Sequence, residues 1–401
     1  MQHLASIHLR LAALSVFRGL RRDPVVSALE KLLDCEETSP SRRMKRYAQF
    51  AGLVLEAGGN WTRYLFSRTL KDDNEYVRRL AAGKEIPTSL ERTLEAELES
   101  LQLIGSLTPG DLMPAGIDFP VAGWETQDID FVAGYRRQMN DIRRRGYGIF
   151  ADSHMFVLKG EELQPILCPD PVDFDQLVGY EQEREAVTAN TLALLEGRPC
   201  SNVLLYGDSG TGKSTCVKAI VNELYPKGLR LIELRKDQLE HIPSLVERLS
   251  DNPLKFIFFI DDLSFSADNH QFSALKAILE GSVCARASNM AIYATSNRRH
   301  LVRENFSDRQ GEEVHLRDTL EELGSLSERF GLTVTFLRPD KELYLSIVQK
   351  YCRQMGFSFD PFTARAAEAF ALERGGRSAR TAKQFVEQLS AASYQTRKGV
   401  V

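Results

Sequence analysis

Apolar residues recur every three or four positions through Leu9–Phe17, Val25–Leu33, Tyr47–Leu55 and Leu90–Leu103, the period that gathers side chains on one face of an α-helix. Breaks fall at Asp23-Pro24, Glu37-Thr38-Ser39-Pro40, Gly58-Gly59-Asn60 and Ile86-Pro87-Thr88-Ser89. Proline and glycine end a helical run there, and Thr88 or Ser89 is the expected N-cap of the long charged helix that follows. Residues 1–145 therefore predict a mostly helical N-terminal domain with no repeat period. Within it, Leu112–Val121 holds Pro114 and Pro120 and reads as a loop packed on a neighbouring element.

The pattern changes at residue 146. Tyr147–Ala151, Met155–Leu158 and Leu163–Leu167 predict short strands or one hairpin, with Pro169-Asp170-Pro171 as a linker, so 146–170 forms a small connecting segment. Beyond Phe174, apolar runs at Val203–Tyr206, Leu229–Leu234, Phe256–Ile260, Met290–Thr295 and Leu332–Leu337 alternate with helical stretches. Strands apolar along their whole length belong to a parallel sheet covered on both faces. The expected class for 171–338 is α/β with a five-stranded parallel sheet. From Pro339 the pattern is helical again: Pro339 opens one helix, Asp360-Pro361 caps another, Gly375-Gly376 ends it, and Ser378 caps a last helix running to about Leu389. That gives 339–401 as a C-terminal helical unit.

One stretch carries recognisable chemistry. The strand Val203–Tyr206 runs into Gly207-Asp208-Ser209-Gly210-Thr211-Gly212-Lys213-Ser214-Thr215 and then a helix. This is the phosphate-binding loop pattern in the strand–loop–helix context it needs. Glycines let backbone N–H groups curl around a phosphate, and the helix N-terminus adds partial positive charge. Lys213 would reach the β- and γ-phosphates and Ser214 would offer its hydroxyl to Mg²⁺. A nucleoside triphosphate is the expected ligand. The strand Phe256–Ile260 ends in Asp261-Asp262, where Asp261 would ligate the Mg²⁺ shell and Asp262 would orient or polarise an attacking water. The strand after it ends in Thr295-Ser296-Asn297, whose amide can reach between the carboxylates and the γ-phosphate.

In this order, the phosphate loop, the Asp-Asp strand, the Thr-Ser-Asn strand tip, Ser327-Glu328-Arg329-Phe330-Gly331 and a helical C-terminal lid resemble an AAA+ ATPase. More narrowly, Tyr206–Thr215, Asp261-Asp262-Leu263-Ser264-Phe265 and Leu326–Gly331 resemble a bacterial AAA+ family classed as a domain of unknown function. The resemblance covers roughly 146–395. It implies ATP and Mg²⁺ as cofactors, Asn297 as the first sensor and Arg329 as an arginine finger completing a neighbouring subunit's site. Arg380, with Arg377 as the alternative, would be the second sensor. It places adenine at Leu177-Val178-Gly179-Tyr180, with Val178 and Gly179 in contact, and it implies a homo-oligomer, since a finger acts on a neighbour. Two departures stand out. The second carboxylate is Asp262 where most AAA+ ATPases carry Glu, and Ser266 stands where the narrower family often has an acid. The segment after Leu229–Leu234 lacks the aromatic–hydrophobic–glycine loop of protein-threading motors.

Composition narrows the rest. The chain has 401 residues and a net charge of −4, so no global field draws it to nucleic acid or an anionic membrane. Arg136-Arg137 and Arg143-Arg144-Arg145 form a local basic cluster that reads as a solvated helix face, with a phosphate-contacting surface as the alternative. The six cysteines are scattered, with no ligand spacing, and the seven histidines form no cluster, which predicts a reduced, cytoplasmic protein without a dedicated metal site. Cys216 reads as a packing residue, the alternative being a thiol made acidic by the helix end. No apolar run is long enough for a membrane span and no signal peptide is visible. A guanine-specifying N-K-x-D motif is absent. The expectation is an ATP-hydrolysing AAA+ oligomer whose N-terminal domain recognises an unknown protein or nucleic acid. The alternative is a slowly hydrolysing switch or a nucleic-acid loader.

Overall fold

The computed structural model describes residues 2–34, 39–114, 116–172, 174, 177–263, 270–279, 288–297 and 328–398. Ser264, Phe265, Ser266, Leu326 and Ser327 of the motifs above lie outside the described residues. The chain forms two compact units, residues 1–152 with 251–253 and residues 153–250 with 254–401.

The first unit is built from α1 (Gln2–Ala12), α2 (Pro24–Leu33), α3 (Pro40–Glu56), α4 (Trp61–Lys71), α5 (Glu75–Ala81), α6 (Thr88–Gly105), α7 (Pro109–Leu112), α8 (Phe131–Asn140) and α9 (Ile142–Arg145). Its centre is aromatic. Phe50 meets Trp61 and Trp124 edge to face at 5.1 and 4.9 Å between ring centroids, a favoured geometry for ring quadrupoles. The buried indoles stay satisfied, with Trp61 Nε1 donating to the Ile104 carbonyl and Trp124 Nε1 to that of Leu107, both at 2.9 Å. Helix α6 starts at Thr88 with Pro87 in the capping position and no side-chain cap. The expected cap at Thr88 or Ser89 is displaced because Pro87 already supplies the extended backbone that precedes a helix. Arg136, from the basic cluster, pairs with Glu91 and Glu95 of α6 at 3.2 and 3.5 Å.

The second unit carries β1 (Met155–Lys159), β2 (Glu162–Pro165), α10 (Glu181–Leu195), β3 (Val203–Gly207), α11 (Lys213–Leu224), β4 (Leu229–Leu234), α12 (Ile242–Leu249), β5 (Lys255–Ile260), α13 (His270–Leu279), β6 (Met290–Ser296), β7 (Leu332–Phe336), α14 (Lys341–Gln354), α15 (Pro361–Glu373) and α16 (Ala379–Lys398). Seven described strands form one sheet in the order β2-β1-β4-β5-β6-β3-β7. The five expected strands are present and mutually parallel, but the sheet is not five-stranded. Without a partner on its other side β4 would end the sheet with a row of open N–H and C=O groups. Strand β1 fills that edge in parallel, Met155 beside Leu231 and Val157 beside Glu233, and β2 folds back antiparallel on β1. The stretch expected as a first strand, Tyr147–Ala151, instead makes a 3₁₀ turn over Gly148–Ala151, with Gly148 at φ +56°. Asp340, not Pro339, opens α14, its carboxylate accepting from Leu343 N–H at 2.8 Å. Helix α16 runs to Lys398, beyond the Leu389 expected from the apolar pattern.

One buried and one half-buried carboxylate in the first unit give tests of its energetics. Glu97 accepts from the backbone N–H groups of Ser15, Val16 and Phe17 at 2.7, 3.1 and 3.0 Å. Glu97→Ala strands these donors and is expected to cost about 3 kcal/mol, read in urea unfolding, with Glu97→Gln recovering part of the loss. Burial pushes the Asp72 carboxyl up to about 6 from its usual 3.8, against the opposing hydrogen bond from Asn74. A raised acid contributes stability that is complete below its unfolded value and lost as pH climbs through the folded one. Amide exchange in α4 and α5 should therefore be slower at pH 4.5 than at pH 7.5 once intrinsic rates are removed, and Asp72→Asn should shrink that difference.

Candidate functional site

The parallel strands β3, β5, β6 and β7 end on one edge of the sheet, because Gly207 pairs beside Phe336, Tyr206 beside Ser296, and Ile260 beside Ala294. Strand ends at such an edge form the ligand crevice of α/β folds. Gly207 has φ +136°, and a Cβ there would stand 2.0 Å from the Phe336 carbonyl oxygen, so only glycine lets the loop leave β3. Gly210 and Gly212 follow at φ +77° and +95°, turning the chain around an open concavity into α11. Thr211 closes the turn by donating to the Asp208 carbonyl at 2.9 Å. Ser209 lies exposed at the loop's crest and Thr215 in the first turn of α11. Lys213 is buried, and its Nζ donates to the carbonyls of Gly207 and Asp208 at 3.0 and 2.7 Å. Burial pulls its pKa below the ordinary lysine value, while Asp208, Asp261 and Asp262 pull the other way.

The carboxylate strand tip is tied to this loop by short hydrogen bonds. Asp261 Oδ1 accepts from Ser214 Oγ and from Thr295 Oγ1, each at 2.6 Å. Thr295 Oγ1 also accepts from the Asp262 N–H at 2.9 Å. Asn297 Nδ2 donates to Asp262 Oδ1 at 2.7 Å. Asp262 itself sits at φ +52°, a left-handed conformation that aspartate tolerates better than most residues. Lys213, Ser214, Asp261, Asp262 and Asn297 thus come together. Thr295 was not singled out in the sequence, yet it bridges both aspartates. The strand register was the missing signal, since Ile260 beside Ala294 puts Thr295 next to Asp261.

The remaining candidates divide. Arg380 lies on the loop, its N–H donating to the Gly210 carbonyl at 3.3 Å, and its Cβ would be 3.1 Å from a Cβ added at Gly210. Arg377 points elsewhere and pairs with Glu368 at 3.0 Å. Val178 and Gly179 line a cavity of about 30 Å³ with Thr211, Cys216, Phe336 and Tyr351, room for roughly one water. Leu343 of α14 packs on Gly179, standing 2.4 Å from a Cβ added there. Arg329 is not at this edge. It precedes Leu332, which pairs with Val203 at the start of β3, so the strand, five residues at about 3.3 Å each, separates it from the loop of its own chain.

Residues 151–393 match the family model described as a protein of unknown function, DUF815. That span is more than half of the sequence. The chain belongs to the DUF815 family. No curated protein matches the sequence. Among solved structures the chain is similar to the Thermotoga maritima RuvB Holliday junction branch migration motor, at 15% identity over 57% of this chain and 67% of that one, with a TM-score of 0.40. A single-substitution variant of the same protein gives 16% identity over the same shares, again with a TM-score of 0.40. An overlap this loose assigns no activity. The DUF815 region holds every residue of the candidate site, and none of its described helices is long and apolar enough to cross a membrane.

The set fits a magnesium-bound triphosphate. Positive-φ glycines turn the chain into α11, a buried lysine stands in that turn, and a hydroxyl and a carboxylate face each other where a hard cation would replace their hydrogen bond. Cys216 has no part in it: burial pushes its thiol up to about 12. Maleimide labelling of the native protein at pH 7.5, read by peptide mass spectrometry, should modify exposed Cys168 and leave Cys216 untouched until denaturant is added.

Proposed function

We propose that the chain is an ATP-hydrolysing AAA+ protein. The observation that carries this reading is the continuous hydrogen-bonded set Ser214–Asp261–Thr295–Asp262–Asn297 laid against the phosphate loop. A phosphate loop by itself serves kinases and GTPases equally well. A carboxylate pair one strand away from the loop strand, held by the tip of the strand between them, suits hydrolysis by water. Mg-ATP, when bound, supplies the electrophilic γ-phosphate and the cation that neutralises its charge.

The chain's own residues would then act as follows. Lys213 leaves the carbonyls of Gly207 and Asp208 for phosphate oxygens. Ser214 and Asp261 would hold Mg²⁺ in place of their mutual hydrogen bond. Asp262, held through Oδ1 by Asn297, keeps Oδ2 for a water and polarises it, and Asn297 fixes the direction from which the water approaches. Arg380 reaches the same phosphates from the lid. Arg329, a strand's length away from its own loop, would serve a neighbouring subunit, which makes the working form a homo-oligomer. The N-terminal unit would recognise the partner, a protein or nucleic acid. The pairing of Arg136 with Glu91 and Glu95 takes one guanidinium of the basic cluster away from phosphates.

A nucleotide-dependent switch with slow turnover is the second reading. It draws on Asp262, whose short side chain is already engaged by Asn297 and reaches less far than a glutamate. Steady-state phosphate release against protein concentration separates the two. The motor reading expects specific activity to rise with concentration and to fall by about two orders of magnitude in Lys213→Ala, Asp262→Asn and Arg329→Ala. Tight ATP binding with turnover unaffected by Asp262→Asn supports the switch. Normal hydrolysis by Arg329→Ala removes the shared-site assignment.

A further inference from the structure

The phosphate loop contains an acid where it is expected to hold polyanions. Asp208 follows the first glycine, so its charge stands beside the phosphates the loop would wrap. Its surroundings answer this. Asp208 N–H donates to the Phe336 carbonyl at 3.2 Å, and Asp208 Oδ2 accepts from the backbone N–H of Arg338 at 3.2 Å. The Arg338 guanidinium lies 3.9 Å from Asp208 Oδ1. The acid is thus turned out of the loop's concavity toward residues 336–338, which lead from β7 to α14.

Arg338 also reaches the other end of the lid. Its Nη1 donates to the Gly375 carbonyl at 3.3 Å, and a Cβ at Gly376 would stand 2.4 Å from the same nitrogen. Gly375 and Gly376, at φ +82° and +133°, make the turn that leads to Ser378 and the start of α16. That start delivers Arg380 N–H to the Gly210 carbonyl. A single guanidinium therefore faces the acid of the phosphate loop on one side and the turn that aims Arg380 on the other.

We infer that Arg338 is the counter-ion of Asp208, and that this pair is a positioning device setting ATP affinity and coupling the phosphate loop to the lid. The inference rests on the reading of the loop as an ATP site. Arg338 touches no reacting atom in it. Its work is to cancel a like charge and to hold the Gly375-Gly376 turn.

The test is a double-mutant cycle on the full chain, with a fluorescent ATP analogue for affinity and phosphate release for turnover. Arg338→Ala should weaken binding by about fivefold at low salt and raise KM by a similar factor, with kcat moving less than about twofold. The deficit should shrink in 0.5 M NaCl, as screening requires. Arg338→Lys should recover most of the affinity. Asp208→Asn keeps an oxygen for the Arg338 N–H and removes the charge, so alone it should tighten binding by about threefold, and added to Arg338→Ala it should bring affinity back toward that of the natural chain. If Arg338→Ala binds normally, or if its deficit persists in the Asp208→Asn background, the pairing is overturned. Thermal midpoints of all variants within a few degrees of the natural chain separate a binding loss from unfolding. Failure of the natural chain to bind the analogue, or binding unimpaired in Lys213→Ala, overturns the ATP reading itself and is distinguishable because it precedes any comparison at 338.

Discussion

Asp261 Oδ1 is the point on which the site depends, because one oxygen accepts hydrogen bonds from two hydroxyls on two different elements. Ser214 comes from the first turn of the helix after the phosphate loop, and Thr295 from the end of β6. Bonds at 2.6 Å to a carboxylate are strong, charge-assisted ones. They fix the spacing between the first turn of α11 and the sheet edge. The same threonine holds the Asp262 N–H, and Asp262 in turn holds Asn297. Each residue of the set is positioned by the one before it.

That rigidity ends at the lid. The sheet and α11 share one buried core, whereas α14, α15 and α16 pack around a separate one centred on Tyr344, Val348 and Val386. The two cores meet through residues 336–340, the Arg380–Gly210 bond, the Lys350 bond to the Leu177 carbonyl, Val178, which packs on the second core, and Leu343 over Gly179. Residues 336–340 connect the two, and Arg338 there faces Asp208 of the loop.

The helical unit shows a different economy. It buries Glu97 and Asp23 among apolar residues, and each is surrounded by donors. Three backbone N–H groups meet Glu97, and Tyr64, Arg68 and the first turn of α2 meet Asp23. Asp23 is the local N-cap of α2, accepting from the Val25 and Val26 N–H groups, whereas Glu97 reaches the N–H groups leading into the 3₁₀ turn at Arg18–Arg22 from a distant helix.

How much was legible without coordinates follows from the range of the forces involved. The phosphate loop, the paired aspartates and the strand-tip asparagine are local patterns, and apolar runs of fixed period announce the strands and helices around them; residue spacing alone placed these. Family membership followed from the same motifs. The sheet's width was not legible, since β1 and β2 carry a hairpin pattern whatever they pair with, and only the open edge of β4 decided that they join it. Thr295 was silent because its role comes from strand register, which sets residues of separate segments side by side. Arg338 was silent for the same reason: an arginine after a strand has no distinguishing pattern, and its meaning came from Asp208 and Gly375, 130 residues before it and 37 after. The sequence by itself determined which groups could meet a phosphate, because that chemistry is written in contiguous residues. Only the tertiary structure decided what holds those groups in place, because the partners that orient them are brought together by strand order and packing.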